Sequence, residues 1–157
     1  MNAFLCSYRP MNAVQSALQG LMDAGDRQSF RVALISLESE LMKLPQVDQP
    51  LRHHFTDGLY GREIFNPKGS FIITKIHKEP NFSFVLRGRL RCLSEDGAEV
   101  IEAPRWFATK PGTKRVLLAE EDTVFITVHP NPTDTQDLEE LERRIIAPDF
   151  ESLEVMP

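Results

Sequence analysis

A chain of 157 residues, 41% hydrophobic and 26% charged, is sized for one soluble globular domain that buries roughly 70% of its unfolded surface. A net charge of −5 argues against general nucleic-acid binding, and no apolar run approaches the ~20 residues needed to cross a bilayer. Two cysteines without CxxC spacing, Cys6 and Cys92, exclude a zinc knuckle or disulfide scaffold and predict reduced thiols.

In chain order, residues 1–10 lack periodicity and are expected to form an extended arm. No basic region followed by a signal-length apolar run opens the sequence, so a cytoplasmic protein is expected. From Met11, Val14, Ala17, Leu18, Leu21 and Met22 recur at helical spacing, with Asn12 as N-cap and Gly25 as the stop. A second helix is predicted from Arg27 to Lys43. Asp26 caps it, Phe30, Ala33, Leu34, Leu37, Leu41 and Leu44 stripe it, and Pro45 ends it. Two such helices need a surface to cover, either the domain that follows or a second copy of the chain. Residues 45–57 read as a connector; His53 and His54 are adjacent, so on a strand they would face opposite ways and could not share a metal.

From Leu59 the texture becomes short β-branched and aromatic runs between turn signals. Strands are predicted at Leu59–Phe65, Ser70–His77, Phe82–Leu93, Ala98–Ile101, Arg105–Thr109, Arg115–Ala119 and Thr123–His129, with Asp96-Gly97 as a hairpin turn. Strands this short, with no helix between them, predict an antiparallel sandwich or barrel. Arg87, Arg89 and Arg91 alternate, so they are expected on one outer face, over an inner face of Phe82, Phe84, Leu86 and Leu90. Trp106 and Phe107 are expected to fill the sandwich. After Pro132, Leu138, Leu141 and Ile145 return to helical spacing behind a Thr133/Gln136 capping box. The ends differ in charge. Eight acids (Asp134, Asp137, Glu139, Glu140, Glu142, Asp149, Glu151, Glu154) face only Arg143 and Arg144 in the tail, whereas Tyr60–Leu118 is mildly basic.

One spacing is specific. Gly69, five residues, Lys75, one residue, His77, three residues, Asn81, six residues and Gly88 reproduce the frame G-x5-H-x-H-x3-E-x6-G. PGTKR (Pro111–Arg115) is similar to the core of G-x5-P-x-G-x2-H, with its proline displaced by one and Pro104 at its opening glycine. On these two motifs and the strand pattern, Leu59–His129 resembles the cupin superfamily (RmlC-like jelly roll). More narrowly, PQVDQPLRHHF, REIFNPKG, HKEPNF, PGTKR, EDTVFITVH and DLEELE resemble segments of small uncharacterised phage and prophage proteins. The resemblance implies a mainly β, cupin-like antiparallel sandwich or barrel with two N-terminal helices and one C-terminal helix. The expected division is a helical arm at 1–57 on the barrel or on a partner subunit, a β-barrel at 58–132, and an acidic helix and tail at 133–157.

In metal-binding cupins the motif positions supply three histidines and a glutamate. Here they are Lys75, His77, Asn81 and Arg115. Lysine and arginine repel a divalent ion, so neither a metal nor another cofactor is expected; Glu79 with His77 and His129 is a partial substitute, weakened by its place in a turn. If the frame holds, the four side chains converge on the barrel interior as donors for a carboxylate or phosphate, with Arg115 able to bind bidentately. The expectation is a non-catalytic small-anion or interaction module. The alternatives are a metal-independent isomerase or lyase acting on an acidic sugar or nucleotide-sugar, with His77 as base, and a phage effector that binds a host protein or nucleotide signal. A homodimer in the host cytoplasm, with no membrane or nucleic-acid partner, is expected by analogy.

Overall fold

The structure is a computed structural model that describes residues 4–7 and 12–154, with side chains at 13 and 15–153. Helix α1 (Asn12–Met22) leads to α2 (Arg27–Met42), whose N-cap Asp26 accepts from the Ser29 amide at 2.8 Å, as its sequence position predicts. The side chains of Asn12 and Val14, like those of residues 1–10, lie outside the described ones.

The β-region folds as two antiparallel five-stranded sheets. One is ordered β1 (Phe4–Ser7), β4 (Ser70–Ile73), β10 (Val116–Ala119), β7 (Arg89–Ser94), β8 (Gly97–Glu102). The other is ordered β2 (Leu51–Thr56), β3 (Gly58–Asn66), β11 (Thr123–Asn131), β6 (Asn81–Arg87), β9 (Arg105–Thr109). A short third sheet joins β5 (Ile76–His77) to β12 (Ile146–Ala147), between α3 (Leu138–Ile145) and α4 (Glu151–Glu154). The mainly β antiparallel sandwich with flanking helices is therefore the one expected.

Helices α1 and α2 cover the outer face of the first sheet. Leu34 and Leu37 are fully buried in a cluster with Leu21, Phe30, Leu41, Ile73 and Val116. The inner face of that sheet supplies Ile72, Leu90, Cys92, Ile101, Leu117 and Ala119, which meet Val85, Phe107 and Phe125 from across the sandwich. Here hydrophobic burial is the organising force: a fully buried Leu or Ile contributes about 1.5–3 kcal/mol.

Several strand expectations need correction. Phe82–Leu93 is two strands in different sheets, because the chain turns at Gly88. Its φ is +85° and a Cβ there would sit 2.4 Å from the Asp122 carbonyl oxygen, so only glycine fits. Arg87 and Arg89 consequently do not share a face; Arg87 lies over Phe65, while Arg89 and Arg91 pair with Glu120. Ser70–His77 breaks after Ile73, and the 45–57 connector contains β2. The Phe82/Phe84/Leu86 side faces outward, and Trp106 is 64% exposed rather than filling the sandwich. In β6 the inner positions are Asn81, Ser83 and Val85, so the polar half of the alternation points in. Helix α3 is capped by Asp137, not Thr133, with its acids in the first turn and Arg143 and Arg144 in the last.

Candidate functional site

Between the sheets lies a partly enclosed pocket of about 60 Å³. Strand β3 contributes Arg62, Ile64 and Asn66; β4 and the break after it contribute Ile72, Thr74 and Lys75; β5 contributes His77. Ser83, Thr109, Phe125 and Thr127 come from β6, β9 and β11 of the same sheet as β3, Arg115 and Leu117 from the PGTKR turn and β10, and Ile146 from β12. All three sheets thus meet here. No acidic side chain is among these lining residues.

Of the four side chains singled out by spacing, Lys75, His77 and Arg115 line this pocket. They do so without the uninterrupted strand assumed for residues 75 and 77, because Lys75 sits in the break between β4 and β5. Asn81 is buried beside the pocket without lining it. Its Oδ1 accepts from Ser83 Oγ at 3.3 Å, and Ser83 Oγ lies 3.1 Å from Thr109 Oγ1. Arg115 Nη1 then donates to Thr109 Oγ1 at 3.3 Å, so a chain of side-chain hydrogen bonds connects Asn81 to Arg115.

Arg115 is held in place by its own backbone. Its amide donates to Thr74 Oγ1 at 2.8 Å, and its carbonyl accepts from the Thr74 amide at 2.9 Å. The turn that delivers it is pinned by Gly112, at φ +78°, whose amide donates to the His77 carbonyl at 2.9 Å. The guanidinium carbon lies 5.2 Å from the centroid of Phe107, a cation–π contact. Burial lowers the Arg115 pKa, and that of Arg62 moves the same way for the same reason. Both remain cations at neutral pH. No ion pair with a described carboxylate is formed by Arg115.

His77 responds to that environment. Burial first, then the charges of Arg62 and Arg115, lower its pKa to about 4, so the ring is neutral at pH 7. Its ring centroid is 5.0 Å from that of His129, whose pKa is lowered to about 3 by burial first and then by His77 and nearby arginines. His129 in turn stacks on the buried Tyr60, and the Tyr60 hydroxyl is hydrogen-bonded to His53 Nδ1 at 2.8 Å. His54 faces the other way, 2.9 Å from Glu63, consistent with opposite faces of β2.

The fold raises the question of a metal, and the donor set does not fit one. At the positions where a cupin metal would find ligands stand two cations and one amide beside His77. Among the described residues no group of three or more His, Cys, Asp or Glu side chains is placed to hold an ion, so the Glu79–His77–His129 substitute is not formed. Cys92 is buried, and burial raises its thiol pKa to about 11, which keeps it protonated. Among the described residues no helix is long and apolar enough to cross a membrane.

Spacing alone missed Arg62, Ser83, Thr109 and Thr127. Arg62 could have been found by parity: it sits between Tyr60 and Ile64 on β3, both buried, so its side chain shares their face.

No protein-family model matches the chain, and no curated protein matches it. Solved structures do. Ectoine synthase from P. lautus superposes with a TM-score of 0.50 at 13% identity, over 61% of this chain and 75% of that one. KdgF from Halomonas sp. gives 0.48 at 14% identity, over 60% and 90%. An RmlC-like cupin from Shewanella frigidimarina gives 0.46 at 13%, over 58% and 80%. Identities this low speak to architecture alone: the likeness to ectoine synthase, together with the two antiparallel sheets around an interior pocket, shows that this chain shares that protein's fold, an antiparallel β-sandwich of the kind the motif spacing predicts.

Proposed function

We propose that the chain is a small-ligand binding module whose interior pocket takes an anion, a carboxylate or a phosphate. One observation carries the reading: Arg115 is presented to the pocket by the Thr74 and Gly112 contacts, forms no ion pair with a described carboxylate, and stands in a lining with two further cations and no acid. An anion that accepts from a buried guanidinium gains charge-assisted hydrogen bonds worth about 1.5–3 kcal/mol. Thr109 and Ser83 hydroxyls stand within the same hydrogen-bond chain and can add neutral donors.

The neutral His77 ring in the same pocket supports a second reading, a metal-independent isomerase or lyase in which His77 accepts a proton. No second histidine and no carboxylate is among the lining residues, which favours binding over turnover.

A thermal-shift screen with inorganic phosphate, acetate and sugar phosphates tests the reading. At a ligand concentration of 100 Kd the expected stabilisation is about 2.7 kcal/mol. Arg115→Ala should keep the fold and lose this shift, with affinity falling about 10–100-fold. No shift from any of these anions, or an undiminished shift in Arg115→Ala, would overturn it.

A further inference from the structure

The interior pocket is too small for a whole metabolite. An apolar cavity of about 150 Å³ holds benzene, whereas this one offers about 60 Å³, enough for a single carboxylate or phosphate head. A larger ligand would need space outside it, and one hollow adjoins it. A surface groove of about 600 Å³ runs between α2 and the β5–β12 corner, and Lys75 and Ile146 line both it and the interior pocket.

That groove is also cationic. Lys114 is neutralised by its ion pair with Glu38 on α2. Lys78 and the exposed Arg143 line the groove with Lys75 and Glu142. The corner is fixed in place: Lys78 Nζ donates to the Arg143 carbonyl at 2.6 Å and the Lys78 amide to the Ile145 carbonyl at 2.8 Å. The Arg143 side chain itself is exposed at the groove.

Building on the anion-pocket reading, we propose that the two hollows take one dianionic ligand. Its inner acid group sits at Arg115, a short chain passes between Lys75 and Ile146, and its outer acid group meets Lys78 and Arg143. The ligand class is an α,ω-diacid, whether dicarboxylate or phosphorylated carboxylate, rather than a monoacid.

Calorimetry at fixed ionic strength, with malonate, succinate, glutarate and adipate against acetate and butyrate, tests this. At least one dicarboxylate should bind about tenfold tighter than the monocarboxylates, one charge-assisted contact's worth. In Lys78→Gln/Arg143→Gln that advantage should fall to about unity. Arg143→Gln alone, a change at an exposed side chain, should reduce it and serves if the double variant fails to fold. Equal binding of mono- and dicarboxylates in the wild type, or an advantage that survives the variants, overturns the two-hollow ligand; if Arg115→Ala also abolishes that equal binding, the anion pocket still stands. Binding of none of these acids overturns the two-hollow ligand, and the anion pocket falls with it only if inorganic phosphate and sugar phosphates give no thermal shift either.

Discussion

In the helix-covered sheet the inner face and the part of the outer face beneath the helices are apolar: Ile73 and Val116 pack under α2, and Ile72, Cys92 and Leu117 face the sandwich. The second sheet inverts this arrangement. Its inner face carries Arg62, Asn66, Asn81, Ser83, Thr109, Thr127 and His129, while Phe82 and Trp106 on its outer face stand 50% and 64% exposed. The contrast shows that stability and site are divided between the sheets. One supplies a conventional hydrophobic core; the other sacrifices interior burial for a polar wall that can hold a ligand.

If that division holds, the most damaging single change belongs to the helix layer. Leu37 is fully buried between α2 and the first sheet. Leu37→Ala should destabilise by about 2–5 kcal/mol, read as a fall in the urea midpoint at constant slope. A loss below about 1 kcal/mol would mean that the helices are loosely seated and the two sheets are not so different.

Acid should act on the other side of the comparison. No histidine lies on the helix-covered sheet, whereas His53, His129 and, on the adjoining short sheet, His77 surround the polar wall. In the unfolded chain these rings take up protons as the pH falls through about 6.5. In the folded chain His77 holds off until about 4 and His129 until about 3; His53 shifts the same way, through burial first. Between those limits the unfolded state binds more protons, so stability is complete above about pH 6.5 and declines as pH falls towards 4. His77 alone should account for about 2 kcal/mol between pH 7 and 5. Urea midpoints over that range should fall in the wild type and fall less in His77→Gln; identical pH profiles would show that His77 is not held neutral by its surroundings.

How much of this was legible in the sequence follows from the same contrast. The covered sheet and its helices could be read, because Phe30, Leu34, Leu37 and Leu41 fall at helical spacing and point where the apolar residues point. The motif spacing likewise located Lys75, His77 and Arg115, since Gly69 and Gly88 fix where that segment begins and ends. The bare sheet was read inside out. Alternation specifies two faces of a strand but not which one is buried, and Phe82, Phe84 and Leu86 offered the more apolar choice. Only the partners across β11 and β9 settle that Ser83, not Phe84, faces the sandwich, and those pairings span 20 or more residues of sequence. Asn81 is buried on the same inner face and connects to the pocket through Ser83, a lining residue hydrogen-bonded to its Oδ1.

The smallest expected effect lies on that outer face. Trp106 has the largest exposure among the apolar side chains of this sheet, and its principal contact is an edge-on one to Phe82, with centroids 5.9 Å apart. Such an aromatic pair contributes about 0.5–1.5 kcal/mol beyond area burial, and an exposed pair sits at the lower end. Trp106→Ser should therefore shift the urea midpoint by less than about 1 kcal/mol and leave the Arg115-dependent anion shift unchanged, because the residue faces away from the pocket. A loss of more than about 2 kcal/mol that depends on protein concentration would show instead that another chain covers this face in solution, and the two sheets would then differ in what buries them rather than in whether they are buried.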